Sequence, residues 1–374
     1  MRRLFLAGCF LAIVYGFPLW QGALEISRAG RPRFLDLFAH TPTPEHLRDF
    51  ERGLEDSAIY SKKLRPLVQY VWWKLLDNPG EKVVVGRDGW LFYKPDVRYL
   101  VEPGGRGSRE ETPLSAILTF RNQLARRGIR LMVLPAPGKP SVYPDKLSRR
   151  PLSAERSAEC PARQLIRGLR EAGVETIDLF ETFRQLRESE RPDLPGPYYL
   201  LRDTHWSGTA ARIAAESVAR RIRNLAWIES GAVQYSVRTV WVNRQTDIVR
   251  MMRLPEIGRQ LSYEEVRCDQ VVRTGSGNLY RDDPNSPVLV LGDSFLRIYE
   301  TDEPRAAGFI AHLARALGLP LASLINDGGA STLVRQELSR RADLLRGKKL
   351  VIWEFVERDI LFGTQGWKYV PLPG

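Results

Sequence analysis

The sequence predicts an α/β domain built on a mostly parallel sheet with helices on both faces. Three observations carry that expectation. β-type runs alternate with helical patterns along most of the chain, the signature of strand–helix–strand crossovers. Several runs, "IRLMVLPAP", "PVLVLG" and "KKLVIWEFV", are apolar without a break, as strands buried on both faces are. The 374 residues, 43% of them apolar, suffice for one large domain with insertions or for two domains.

At the start of the chain, "MRRLFLAGCFLAIVYGFPLWQGALE" places Arg2 and Arg3 ahead of an apolar run from Leu4 to Trp20. The basic flank stays in the cytoplasm and the apolar run crosses the membrane. No A-x-A cleavage pattern comes after it, so residues 1–24 read as an uncleaved signal-anchor rather than a removed signal peptide. Cys9 in "LAGC" resembles a lipoprotein box, but the apolar run continues past it. Residues 25–80 form a polar linker and a helical approach segment, helical from about Glu45 to Leu76. "VVVGRDGWLFY" reads as a β-hairpin around Gly-Arg-Asp-Gly.

Residues 81–374 form the main domain. "PLSAILTFRNQLARRG" is helical, "IRLMVLPAP" a strand, "AECPARQLIRGLREAG" a helix and "VETIDL" a strand. In "SGTAARIAAESVARRIR", Ala210, Ala214, Val218 and Ile222 recur on one helical face. "PVLVLG", "LPLASLIN" and "KKLVIWEFV" are further strands, separated by "RAAGFIAHLARALG" and "STLVRQELSRRADLLRG" as helices. Residues of about 226–286 mix β-branched runs with loops and read as a β-rich insertion. No repeat or low-complexity tract is present.

The net charge of +12 and a pI of about 9.7 favour anionic partners. The basic residues are scattered rather than grouped with interleaved aromatics, which disfavours nucleic acid. Of the three cysteines, Cys160 and Cys268 would lie in an oxidising compartment. A disulfide between them and two buried free thiols are both open. No CxxC pair or His/Cys cluster has metal-ligand spacing, so neither a metal nor a cofactor is expected.

Three stretches carry chemistry. In "VLVLGDSFLRIY" a buried strand ends in Gly292-Asp293-Ser294. Ligands bind beyond the carboxyl ends of such strands, and a serine there is exposed to substrate while its own N–H helps hold an oxyanion. The structural alternative is a helix N-cap. In "RDTHWSG", His205 is a candidate base for that serine and Asp203 the carboxylate that orients it. The alternative is that Asp203 or Ser207 caps the next helix and His205 is a polar surface residue. In "LINDGGAS", Asn326 with Gly328 and Gly329 would complete an oxyanion hole, or form an ordinary βα turn. Lys139 and Tyr143, in "PAPGKPSVYPD" at a strand end, are candidate substrate contacts, with a proline-set turn as the structural reading; Trp206 is a further candidate contact. In "VIWEFVERD", Trp353, Glu354 and Arg358 sit near the same sheet edge, with a buried ion pair as the structural reading.

Taken together these blocks resemble a known family. A strand followed by GDS is similar to the first block of SGNH hydrolases, but there the Asp-x-x-His comes late. Here Asp203 precedes Ser294 by 294 − 203 = 91 residues. That order matches the SGNH-hydrolase-like periplasmic proteins of alginate O-acetylation. "VVVGRDGWLFY", "LPAPGKPSVYPDKL", "RDTHWSGTAA", "VLVLGDSF" and "VIWEFVERDI" resemble its blocks in its order, from about residue 45 to 362. The resemblance implies an SGNH-like fold and an O-acetyltransferase of exported, acidic polysaccharide. It implies a triad of Asp203, His205 and Ser294, a membrane-bound O-acyltransferase as acetyl supplier, and anchoring in the inner membrane facing the periplasm. The same triad would serve a carbohydrate acetylesterase, and a non-catalytic polysaccharide-binding scaffold is the alternative from another class.

Overall fold

The computed structural model describes residues 2–38, 43–58, 64–76, 79–102, 112–149, 160–189, 196–252 and 263–373. The chain divides into two units, residues 1–80 with 252–260, and residues 81–251 with 261–374.

In the first unit the apolar run continues as one helix, Arg2–Ala29, of 28 residues. At about 1.5 Å per residue it exceeds the roughly 30 Å of a bilayer core. Its window Leu4–Arg28 is long and apolar enough to cross a membrane and is unburied. The expected single helix from Glu45 to Leu76 is instead two, Pro44–Ser57 and Arg65–Leu76. Thr43 caps the first by accepting from the His46 N–H at 3.1 Å.

The second unit holds a five-stranded parallel sheet. Its strands are β3 (Arg130–Ala136), β4 (Glu175–Thr176), β7 (Val288–Gly292), β8 (Ala322–Ile325) and β9 (Leu350–Val356), in the order β4-β3-β9-β7-β8. The three central strands, β3, β9 and β7, are the unbroken apolar runs. Alternate residues face opposite cores, as the two-residue period of a strand requires. Met132, Leu134, Val288, Val290 and Ile352 join one core, and Leu131, Val133, Leu289, Val351 and Trp353 the other. Helices Gly208–Leu225 and Phe309–Leu317 cover the first face. Helices Pro113–Ala125, Pro161–Glu171 and Leu333–Arg340 cover the second.

Before the sheet, β1 (Val83–Val85) and β2 (Leu91–Tyr93) pair as the expected hairpin. Asp88 and Gly89 both have positive φ, 54° and 79°, the pair of left-handed positions that a type I′ turn needs. "VETIDL" makes only two residues of strand. Asp178 then accepts from the Glu181 N–H at 3.0 Å and starts a helix, Leu179–Glu188, that the sequence reading missed. The insertion is an antiparallel ribbon of β5 (Tyr235–Gln245) and β6 (Tyr263–Arg273), paired residue for residue over its whole length.

Cys160 and Cys268 are free thiols. Cys268 packs in the first core and Cys160 against the second, so the sheet lies between them and the disulfide alternative fails.

Candidate active site

The site is assembled at the carboxyl ends of β7 and β9. The last residue of β7 is a glycine, Gly292, and a Cβ there would collide with the Glu354 carboxylate and Leu296. Asp293 caps the turn Ser294–Arg297, its Oδ1 accepting from the Phe295 N–H at 2.9 Å and its Oδ2 from Val356 N–H at 3.3 Å. The cap reading of Asp293 is therefore realised, and Ser294 beside it is half-buried and borders a cavity. Ser294 is the first residue of that turn, where N–H groups have no intrahelical partner. Its own N–H is thus a candidate donor to the carbonyl oxygen of a group attacked by its Oγ.

The "RDTHW" segment reaches the serine from the other side. His205 Nε2 lies 2.8 Å from Ser294 Oγ, and His205 Nδ1 lies 2.6 Å from Asp203 Oδ1. A two-residue spacing suffices because Asp203 Oδ1 also accepts the His205 backbone N–H at 3.1 Å. Aspartate readily folds back on the N–H two residues on. Ser207, not Asp203, caps the helix Gly208–Leu225, accepting from Ala210 N–H at 3.3 Å. Capping and the Asp203–His205 pair thus use different residues.

Two residues of the insertion, unforeseen from the sequence, complete the surroundings of Asp203. The Arg244 Nε lies 3.4 Å from Asp203 Oδ2. The Asp247 N–H donates to the same oxygen at 3.1 Å. Asp247 also accepts the Thr204 N–H at 2.8 Å and the Thr204 hydroxyl at 2.5 Å.

These neighbours set the charges. Burial alone would raise the Asp203 carboxyl, but the His205 charge and hydrogen bonds, with Arg244, outweigh it and hold Asp203 well below the usual carboxylate range. Burial alone would lower His205, yet the Asp203 carboxylate beside it, helped by Asp247, leaves it raised. Asp247 is raised by burial and by the negative Asp203. Beneath the serine, burial and the charge of Asp293 push Glu354 far above its ordinary value.

Asp203, His205 and Asp247 present ligand atoms within 4.8 Å of one another. The 2.6 Å separation of His205 Nδ1 and Asp203 Oδ1 is that of a shared proton. An ion bound by both at about 2.0–2.2 Å from each would hold them further apart.

Other residues singled out by the sequence have different places. Lys139 is fully buried and donates to three backbone carbonyls: Leu91 at 2.5 Å, Leu201 at 2.8 Å and Asp203 at 3.0 Å. It ties the hairpin to the "RDTHW" loop and has no proton left for a substrate. Burial pushes its pKa down to about 7, although three carbonyl acceptors suit the charged ammonium. Tyr143 is buried, accepts the Tyr198 N–H at 2.9 Å and packs on Trp90 with ring centroids 4.5 Å apart. Trp206 is fully buried, and its indole N–H donates to the Phe295 carbonyl at 3.1 Å. It locks the histidine loop onto the serine segment rather than touching substrate.

Asn326 also departs from the expectation. Its amide donates to Glu337 Oε2 at 2.9 Å and accepts the Gly328 N–H at 2.9 Å. The Gly329 N–H donates to the Asn326 carbonyl at 3.2 Å. This is an Asx-type turn, so these three groups do not aim at Ser294. Arg358 forms the expected buried ion pair, with Asp96 Oδ1 at 2.9 Å.

Ser294 separates two cavities. The larger, ≈ 560 Å³, contains His205 and is walled by Arg244, Asp247, Arg250, Tyr263 and Arg297. The smaller, ≈ 280 Å³, lacks His205 and is bounded by Tyr93, Asp327, Gly328, Gly329, Arg358 and Phe362.

Comparison with known proteins gives the family and the fold. A family model described as "SGNH hydrolase-like domain, acetyltransferase AlgX" matches residues 83–357. A "Probable alginate O-acetylase AlgJ" of Azotobacter vinelandii is 25% identical over 365 residues, covering 94% of this chain and 87% of that protein. Its namesake in Pseudomonas aeruginosa is 24% identical over 75% of this chain and 70% of its own. Among solved structures, the O-acetyltransferase domain of Pseudomonas putida AlgJ superposes with a TM-score of 0.59 at 23% identity, over 75% of this chain and 92% of that one. Pseudomonas aeruginosa AlgX gives 0.51 at 22% identity, over 73% and 62%. The fold is therefore SGNH-like, and the chain belongs to the SGNH hydrolase-like acetyltransferase family of AlgX.

Proposed function

We propose that this chain is an O-acetyltransferase that moves an acetyl group through Ser294 onto hydroxyls of an exported, acidic polysaccharide. The observation that carries the reading is the continuous line Asp203–His205–Ser294, with links of 2.6 and 2.8 Å, opening on a cavity.

The chemistry runs in two steps. In the first, His205 Nε2 takes the Ser294 hydroxyl proton as Oγ attacks the donor carbonyl carbon. Collapse of the tetrahedral species breaks the bond to the leaving group, which receives that proton from His205. In the second, a sugar hydroxyl gives its proton to His205 and attacks the acyl carbon. Ser294 leaves and recovers its proton from the imidazolium. Asp203 holds the imidazole with Nδ1 protonated and stabilises its charge in both steps. The Ser294 N–H holds the oxyanion. Because every proton passes through His205, leaving group and acceptor occupy the larger cavity. The acyl substituent points away from them, toward the smaller one.

The wider assignments rest on the same reading. The N-terminal helix anchors the chain in the inner membrane with Arg2 and Arg3 in the cytoplasm, and the second unit works in the periplasm. A membrane-bound O-acyltransferase partner supplies the acetyl group. The test is to give the detergent-solubilised chain a chromogenic acetyl ester, with and without acidic oligosaccharide. Ser294-dependent acetylation of the oligosaccharide is expected. Acetate release that ignores the acceptor would make the protein an esterase, and no Ser294-dependent turnover would leave a scaffold.

A further inference from the structure

A polymeric acceptor does not fit inside the ≈ 560 Å³ cavity beside His205, a volume that suits one small molecule. The sugars flanking the reacting one must lie outside the mouth, and the β5–β6 ribbon leads out of it. Resting on the reading above, we propose that the outer face of this ribbon is the binding track for the acceptor polysaccharide, with Trp241 as its stacking platform.

The ribbon has two distinct faces. Val240, Val242, Val266 and Cys268 turn inward against the core. Odd-numbered residues of β5 from Val237 to Gln245 turn outward and are exposed. On this outward face lie three exposed large apolar side chains, Val237 at 42%, Trp241 at 63% and Tyr263 at 44%. The three stand about four residues apart along the ribbon, or roughly 14 Å, so they are separate contact points along the strand direction rather than one apolar patch.

The face is continuous with the cavity. Asn243, Gln245 and Tyr263 are part of its wall, and Tyr263 stands opposite Gln245 in the register. Trp241 lies four residues from Gln245, or about 14 Å along the strand at ~3.4 Å per residue. A chain held with one sugar at His205 and running outward along β5 therefore passes over Trp241. Arg267, paired across from Trp241, is fixed by Thr239 Oγ1 at 3.2 Å and Asp269 at 3.3 Å. Arg267 is paired with Asp269, and Glu265 also lies on this face, so it is the exposed indole rather than net charge that suits a saccharide, whose apolar ring C–H groups stack on it.

The experiment compares Trp241→Ala and Trp241→Phe with the unaltered full chain in detergent. Three readouts are taken: hydrolysis of a chromogenic acetyl ester, transfer to an alginate disaccharide, and transfer to long alginate oligosaccharides. Trp241→Ala should raise KM for the long acceptor about 5- to 30-fold, the ratio expected from uncovering one ring face. It should leave ester hydrolysis and disaccharide transfer unchanged, and Trp241→Phe should restore most of the loss. An unchanged preference for long over short acceptors in Trp241→Ala overturns the track, as does an equal loss on all three readouts, which is a folding effect. Failure of the functional reading itself looks different: no Ser294-dependent transfer by the unaltered chain to either acceptor.

Discussion

Replacing Asp203 with Asn keeps the volume of the side chain and removes its charge. His205 Nδ1 and Asp203 Oδ1 are 2.6 Å apart and buried. Unit charges at that distance interact by roughly 6 kcal/mol at an effective dielectric of about 20. That gross attraction is available only when His205 is protonated, as it is in both transition states. An asparagine amide facing Nδ1 also favours the tautomer with Nε2 protonated, which no longer accepts from Ser294. A loss of about 10⁴-fold in kcat is the expected order for this change, equivalent to about 5.5 kcal/mol of barrier, in line with the Coulomb figure. The assay is acetyl-ester turnover by full-length chain with the thermal unfolding midpoint as fold control. Asp247 Oδ2 stands 3.7 Å from the same nitrogen and offers a substitute carboxylate, so Asp203→Asn/Asp247→Asn is measured alongside. Folded single and double variants that both keep more than about a tenth of the activity would refute the assigned role of Asp203.

The same geometry yields further outcomes. His205 acts as a base only when neutral and its pKa is raised, so kcat/KM should fall as pH drops through a value above the ordinary histidine one. Arg244 pushes His205 down, so Arg244→Gln should move that acidic limb to higher pH. A limb that moves to lower pH would contradict the charge assignment. Lys139→Met strands three carbonyl acceptors and should cost about 3 kcal/mol in urea unfolding, since an unmet buried polar group costs roughly 1–3 kcal/mol. Trp206→Phe loses the hydrogen bond to Phe295 and should cost about 1 kcal/mol of stability, read by the same titration. Because Cys160 and Cys268 are free, a thiol reductant should leave the unfolding midpoint unchanged.

The sequence was most legible where one local pattern determined one structure. The apolar runs of β3, β7 and β9 could be buried only on both faces, and Gly-Arg-Asp-Gly could close only a tight hairpin. The pair Asp203 and His205 was legible because the carboxylate reaches the N–H two residues on. Long-range pairing was not legible. Arg244 and Asp247 meet Asp203 because a ribbon some forty residues later folds across the loop, and no local pattern encodes that. Lys139, Tyr143, Trp206 and Asn326 were left open between substrate contact and structural role for a common reason. A polar atom in a strand-end loop announces that it needs a partner, but not whether that partner is substrate or backbone. In these four it is the protein's own carbonyls, N–H groups or carboxylates. The helix at Leu179–Glu188 was missed although Asp178 stands as its cap, because the short β-type run before it took the reading one residue too far.

The whole proposed reaction turns on Ser294 carrying the acyl group. It is tested most directly by incubating the full-length chain with an activated acetyl ester, quenching in acid and mapping the acetylated peptide by mass spectrometry. One acetyl group is expected on the peptide containing Ser294, absent from Ser294→Ala and discharged when acidic oligosaccharide is added before the quench. Turnover that continues with no acetyl group on Ser294, or with the label on another residue, would contradict it.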